Sequence, residues 1–369
     1  MHVVLFFTYD ISLNDWKIAG LLDRELRIYK ELEKNENIKF TFVTYGDKKD
    51  IDIITESNIN VVPIYSIFKR PKNIVFRFFK SFFFPFYLKN NIGEFDVIKT
   101  NQLHGSWIAI ILKNLTGKKL YIRTGFDIYT FAKKRGVNLF KRLFFYLLTK
   151  ISINKSDFYS VTSLTDKKFL KKEFNPQNEI ELIRNWVEPI NKNKIRFDNR
   201  ILLVGRLEKQ KNYTELFNEF KNSDYILDVV GTGSLESQLK KIAFKNNIKV
   251  NFMGNLNNSH LLELYGEYKI FISASLYEGN PKALLEAMSM GCVVIANRNK
   301  NIEEIIKDNI NGILFEFSEK NLINKINNIL TNNDQFNQIS NAGKKYIKEN
   351  NNFKKILKKE LEIYKLLSS

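Results

Sequence analysis

The feature that most limits what this chain can fold into is a repeated one: a short apolar run ends on glycine and gives way to an amphipathic stretch. The run 201–204 ends at Gly205, 225–230 at Gly231 and 250–253 at Gly254. The runs 269–273 and 292–296 continue the series, with helical patterning between them. Strands that alternate with helices make βαβ units, and these build a parallel sheet. Ligands of such sheets bind beyond the carboxyl ends of the strands, so residues just after each run are the ones to inspect.

A second series precedes the first. Strand-like runs fall at 3–7, 39–44, 60–64, 95–99, 119–122, 158–162 and 179–183, with helical patterns over 18–32 and 106–115. The stretch 188–200 is polar and aperiodic and reads as a linker. The tail 321–367 is helical, with a break near 350–352. At 369 residues the chain is longer than one core usually serves. The expected division is a Rossmann-like domain over 1–190, a linker over 191–200 and a second Rossmann-like domain over 201–345.

The formal net charge is +18, which favours acidic partners: nucleic acid, an anionic membrane face or phosphorylated ligands. The single cysteine, Cys292, excludes an intramolecular disulfide and reads as a small buried hydrophobe in a strand. The run 3–7 is too short for a signal peptide. No stretch reaches the roughly 20 apolar residues of a membrane span. The expectation is a cytoplasmic protein, soluble or peripheral at a membrane.

The strongest chemical signal is Glu278-Gly279-Asn280-Pro281-Lys282-Ala283-Leu284-Leu285-Glu286. Pro281 suits the first turn of a helix, whose N–H groups and dipole attract phosphate. Glu286, two turns in, can accept hydrogen bonds from a ribose diol, and Glu278 can do the same for sugar hydroxyls. Alone, such a pair is ordinary surface charge. It is accompanied by Gly205-Arg206-Leu207 and Lys211 after an earlier strand, a fork and a point charge suited to a diphosphate. Gly231-Thr232-Gly233 follows the next strand, where missing side chains let backbone approach a ligand.

As a set, from about 201 to 315 and including Phe252-Met253-Gly254 and Asn311-Gly312-Ile313-Leu314-Phe315, these motifs resemble glycosyltransferase family 4, the retaining enzymes of GT-B architecture. The resemblance implies two Rossmann-like domains facing across a cleft, with C-terminal helices of which the last, 346–369, packs back on the first domain. It implies that Arg206 and Lys211 bind the donor diphosphate, Glu278 the transferred sugar and Glu286 the ribose. Backbone N–H groups between Gly279 and Leu284, including those of Asn280, Lys282 and Ala283, would touch sugar and phosphate. Pro281 has no N–H to give. The donor would be a UDP- or GDP-sugar, with no bound cofactor and no metal requirement. Asp50-Ile51-Asp52 is read as an incidental match to a metal motif.

The acceptor side falls in the N-terminal half. Asp15 and Trp16 follow the first strand, and Asp15 is also placed to cap the helix at 18–32. His104 follows another strand and is suited to proton transfer near neutrality, though a loop histidine making one hydrogen bond is the more ordinary reading. Arg123, Thr124 and Asp127 follow the next strand. Many family members carry a histidine where Thr124 stands.

Phenylalanines mix with Lys and Arg over 68–89 and 133–148. Basic residues beside exposed rings suit an anionic leaflet, and so an acceptor carried on a polyprenyl diphosphate, as in lipopolysaccharide, capsule or exopolysaccharide assembly. Most of these rings are nevertheless expected to pack in the N-terminal core. Other classes are a non-transferring relative, such as a nucleotide-sugar epimerase or a phosphorylase, and a basic nucleic-acid-binding protein, for which no recognition signature is present.

Overall fold

A computed structural model describes residues 1–55, 57–190 and 196–369. The chain forms two compact units. One comprises 1–183 with 357–369, the other 184–356.

The first unit is a seven-stranded parallel sheet. Its strands are β1 (His2–Phe6), β2 (Lys39–Thr44), β3 (Asn60–Pro63), β4 (Val97–Thr100), β5 (Lys119–Thr124), β6 (Phe158–Val161) and β7 (Ile180–Leu182). Their spatial order is β3-β2-β1-β4-β5-β6-β7. The chain builds outward to β3, then returns to lay β4 on the other side of β1. Between β1 and β4 the order reverses, and the loops that follow them diverge to leave a crevice.

The helix expected over 18–32 is two helices, Leu13–Ile18 and Leu22–Glu36. Gly20, at φ 68°, takes the left-handed backbone that separates them. The first of the two is anchored by Asp50. That carboxylate is 1% exposed and accepts the Leu13 and Asn14 N–H groups at 3.1 Å and the Thr44 hydroxyl at 2.6 Å. Asp50 therefore has a structural task, holding a helix N-terminus to the end of β2.

A charge is buried at the heart of this unit. Lys99 on β4 donates to Glu360 at 2.6 Å and to the Tyr364 hydroxyl at 2.9 Å, and all three are 2% exposed or less. Glu360 and Tyr364 lie on the last helix, Phe353–Ser368. Burial lifts the Glu360 carboxyl, but Lys99, Arg123 and the Tyr121 hydroxyl outweigh it and hold it below the usual range. A paired charge tolerates burial because its partner and hydrogen bonds replace water.

The second unit is a six-stranded parallel sheet of β8 (Phe197–Val204), β9 (Ile226–Val230), β10 (Lys249–Gly254), β11 (Tyr268–Ser273), β12 (Val293–Asn297) and β13 (Ile313–Phe315), in the order β10-β9-β8-β11-β12-β13. The first strand starts inside the stretch read as a linker over 191–200, of which 191–195 lie outside the described residues. Phe197 stays with the sheet by packing its ring on Tyr268 at 5.3 Å. The three-residue β13, inside the 311–315 motif, pairs with β12. Cys292 is buried at 2% exposure, and burial pushes its thiol up to about 12. In this sheet the order reverses between β8 and β11, and Arg206, Lys211, Glu278 and Glu286 follow these two strands.

Candidate active site

The site in the second unit is built from loops at the carboxyl ends of β8, β9 and β11 and from the helix Lys282–Ser289. Gly205, Arg206 and Leu207 leave β8 and turn against the loop after β9. The turn is held by backbone bonds from Gly205 N–H to Val230 at 3.0 Å, Leu207 N–H to Thr232 at 2.9 Å and Leu235 N–H to Leu207 at 2.9 Å. This contact is why Gly231 and Gly233 are glycines. A Cβ on Gly231 would lie 2.1 Å from the Gly205 carbonyl oxygen, and one on Gly233 would lie 2.5 Å from that of Leu207. The space their missing side chains leave is filled by the neighbouring loop, a packing role that the sequence did not reveal.

The loop after β8 is tied in turn to the loop after β11. Gln210 accepts the Leu276 N–H at 2.9 Å through its backbone and donates its side-chain amide to the Tyr277 carbonyl at 2.9 Å. These bonds bring Lys211 to Glu278, whose Nζ and Oε1 stand 2.7 Å apart. Glu278 is 8% exposed, so its charge is mostly removed from water and is compensated by the lysine. Arg206 is exposed, and its guanidinium makes no hydrogen bond or ion pair with any described residue. A fixed carboxylate and a fixed ammonium therefore meet at the switch point of a parallel sheet, and Arg206, on the same loop as Lys211, is open.

Past Glu278 the chain enters the helix through Pro281, which occupies the N-cap rather than the first turn, at φ −71° and ψ 107°. Lys282, Ala283 and Leu284 form the first turn. Leu284 is 1% exposed and packs in the core, so only its backbone faces outward chemistry. Glu286 is 3% exposed and accepts from Asn258 at 3.3 Å and from the Tyr265 hydroxyl at 3.4 Å. Neither partner was anticipated, since both lie on a different helix, Asn258–Tyr265.

Asn280 fixes the loop through its side chain and its carbonyl. Its side-chain oxygen accepts the Asn185 N–H at 2.9 Å, and its carbonyl accepts the Asn185 amide at 2.5 Å. Lys282 lies over the Trp186 ring at 4.6 Å. The loop that carries Glu278 is thus clamped to the segment at the start of this unit.

The acceptor-side candidates lie in the first unit. Asp15 does not cap a helix at 18. It is the third residue of Leu13–Ile18 and completes a capping box with Ser12, accepting the Ser12 N–H and hydroxyl at 2.7 Å. Trp16 stacks on Phe7 at 4.2 Å. Arg123 joins the electrostatics of the buried Lys99–Glu360 pair. Thr124 is buried and donates to the Ser160 carbonyl at 3.4 Å. Asp127 is buried and caps the helix Ile128–Lys134, accepting the Thr130 N–H at 2.6 Å, and burial raises its carboxyl.

His104 follows β4 at the reversal point of its sheet, ringed edge-on by Tyr9, Trp107 and Phe145. Burial and the nearby Lys141 bring its imidazole down to about 4, against a smaller opposing pull from Asp10, so it is neutral at pH 7. Asp10 sits near it at φ 66° and binds Arg70 at 2.8 Å and Arg77 at 2.5 Å.

The family model described as Glycosyl transferases group 1 matches residues 187–346, nearly all of the unit that carries the Lys211–Glu278 pair. Residues 187–346 belong to the group 1 glycosyl transferases. The chain is accordingly a glycosyltransferase, and the match extends beyond the 201–315 that carried the resemblance in sequence. An uncharacterized glycosyltransferase of Methanocaldococcus jannaschii is 26% identical, with 95% of each chain covered. An N-acetylgalactosamine-N,N'-diacetylbacillosaminyl-diphospho-undecaprenol 4-alpha-N-acetylgalactosaminyltransferase of Campylobacter jejuni is 30% identical over 34% of this chain and 35% of its own. The crystal structure of Anabaena HepE with UDP-glucose superposes with a TM-score of 0.75 at 13% identity, covering 98% of this chain and 99% of that one. The fold of the glycosyltransferase is GT-B.

Proposed function

We propose that this glycosyltransferase moves a sugar from a nucleotide diphosphate sugar to a hydroxyl of a lipid-linked saccharide, with retention at the anomeric carbon. The observation that carries the reading is the Lys211–Glu278 pair at 2.7 Å beside an open Arg206, at the carboxyl ends of β8 and β11. Arg206 and Lys211 take the donor diphosphate and stabilise its charge as it leaves, in place of a metal. The N-terminus of Lys282–Ser289 adds N–H groups and dipole on the same side. Glu278 holds hydroxyls of the transferred sugar, and Glu286, oriented by Tyr265 and Asn258, holds the ribose.

Glu278 is held in an ion pair with Lys211, which suits positioning better than covalent attack. Transfer then runs on one face of the sugar. The bond from the anomeric carbon to the diphosphate breaks, the acceptor oxygen bonds to that carbon, and its proton passes to the departing diphosphate. Catalysis rests on orientation and on compensation of the developing charge. UDP or GDP is the expected nucleotide; the HepE complex with UDP-glucose supports the former. The Campylobacter relative, named for a diphospho-undecaprenol acceptor, supports a lipid-linked acceptor and hence work at the inner face of the cytoplasmic membrane. Among the described residues no helix is long and apolar enough to cross a membrane.

The test is thermal stabilisation by UDP, GDP and ADP with EDTA present, in wild type and Glu286→Ala. At about 100 times its dissociation constant a ligand stabilises by roughly 2.7 kcal/mol, a shift of a few degrees. Selective stabilisation that the variant loses supports the donor site; a folded wild type that no nucleotide shifts overturns it. Product analysis then separates transfer from epimerisation or phosphorolysis.

A further inference from the structure

The helix Ile74–Ser81 keeps Arg77 and Ser81 inside beside Phe78 and turns an apolar side outward, where a helix that faces water is polar. On its inner side Arg77 binds Asp10 at 2.5 Å, and the fully buried Ser81 hydroxyl accepts the Trp107 indole N–H at 2.9 Å. On its outer side Ile74, Val75, Phe76 and Phe79 are 55–68% exposed. The rings of Phe83 and Phe86 continue this side into the helix Phe84–Asn91, at 66% and 54%. Of the eight phenylalanines between 68 and 89, Phe84 is buried, Phe68, Phe78 and Phe82 pack on neighbouring rings, and Phe76, Phe79, Phe83 and Phe86 are exposed.

A second helix extends the surface. Leu139–Lys155 meets the first where Phe144 packs on Phe78 at 5.6 Å. Outward it shows Phe140, Leu143, Leu147 and Ile151, one stripe at helical spacing, with Phe140 85% exposed. An open depression of about 450 Å³ lies at its first turns, lined by Tyr129, Leu139, Phe140, Arg142, Leu143 and Tyr146. Single exposed apolar residues are ordinary, but a continuous field of them marks a contact surface.

Charge selects the contact. Residues 67–93 contain six Lys or Arg and no acidic residue, and 128–156 contain seven and none. Lys69, Lys72, Lys134 and Arg135 are exposed. Apolar side chains amid cations match a bilayer with anionic headgroups, where rings enter the acyl boundary and cations stay with phosphate. A water-soluble partner would need an acidic rim, and a second copy would set like charges against like.

We propose that this face, the outer sides of Ile74–Ser81 and Leu139–Lys155, docks the enzyme on an anionic phospholipid surface. The proposal deepens the reading of a lipid-linked acceptor and rests on it for its purpose alone, since the geometry of the face is independent of the donor site.

The experiment is sedimentation with vesicles that contain no acceptor: phosphatidylcholine alone, and phosphatidylcholine mixed with phosphatidylglycerol. The wild type is expected to bind the mixed vesicles and not the neutral ones. Phe76→Ser/Phe79→Ser/Phe140→Ser is expected to lose binding. Lys72→Gln/Lys134→Gln/Arg135→Gln is expected to weaken it by roughly fivefold per charge removed. Stabilisation by UDP, read in the other unit, reports that each variant is folded. A wild type that ignores anionic vesicles, or an apolar variant that binds as well as wild type, overturns the proposal. So does a wild-type dimer that the apolar variant dissociates, which would assign the face to a second copy. Vesicle binding without transfer to a lipid-linked acceptor would leave the docking face standing and remove the acceptor reading.

Discussion

Asn185 and Asn280 are joined by two hydrogen bonds across 95 residues of sequence, one at 2.9 Å and one at 2.5 Å. Asn185 is also held from behind: its carbonyl accepts the Asn351 amide at 2.6 Å, and the Val187 N–H donates to the Asn351 carbonyl at 2.9 Å. The segment at 185–187, the end of the helix Asn333–Asn350 and the loop of Glu278 are therefore one hydrogen-bonded unit. The position of Glu278 depends on residues that need not touch a donor.

Asn185→Ala removes the side-chain bond to the Asn280 carbonyl. Such a bond is worth about 1 kcal/mol net, so nucleotide affinity should fall by roughly five- to tenfold while the fold survives. Calorimetric titration with UDP, beside the melting temperature, checks this. Equal affinities would mean that Asn280 holds its place without the clamp.

Lys211→Ala leaves the Glu278 carboxylate, 8% exposed, without its ion-pair partner and the leaving diphosphate without a cation. Removing one fixed charge-stabilising group costs about 10²–10³ in kcat. Steady-state release of nucleoside diphosphate measures it. A variant within a few-fold of wild type would take Lys211 out of the chemistry.

Glu360→Ala should destabilise the protein by about 3–5 kcal/mol, because it strands the Lys99 ammonium at 2% exposure. The double variant Lys99→Met/Glu360→Leu should recover most of that loss, since an apolar pair needs no compensation. Urea midpoints of the three proteins decide the matter. Equal losses in the single and double variants would show that packing of the last helix, not the stranded charge, sets the cost.

His104 binds a proton more weakly in the folded protein, at about 4, than in the unfolded chain, at about 6.5. Between these values the unfolded state holds more protons, so stability rises with pH across this window and is lost as pH falls through it. The groups that act on the ring are Lys141, which lowers it further, and Asp10, which opposes. His104→Gln should flatten the dependence of the urea midpoint between pH 4 and 6.5 relative to wild type. An unchanged slope would assign the acid loss to other groups.

The residues themselves determined the alternation of strands and helices, the glycines at strand ends and the motifs after β8 and β11. Each of these is local: an apolar run of strand length, a turn that needs a left-handed or crowded backbone, a helix start. The site motifs were legible because a parallel sheet sends the chain to the same edge after every strand. Three things were decided only by tertiary structure. Gly231 and Gly233 are glycines because the loop after β8 lies against them, and sequence spacing does not show which loop fills that space. Lys99 is buried because Glu360 reaches it from 261 residues away. Phe76 and Phe79 face outward because Arg77 and Ser81, on the other side of their helix, find partners inside. Periodicity reports that a helix has an apolar side, but only the packed chain decides which side is covered.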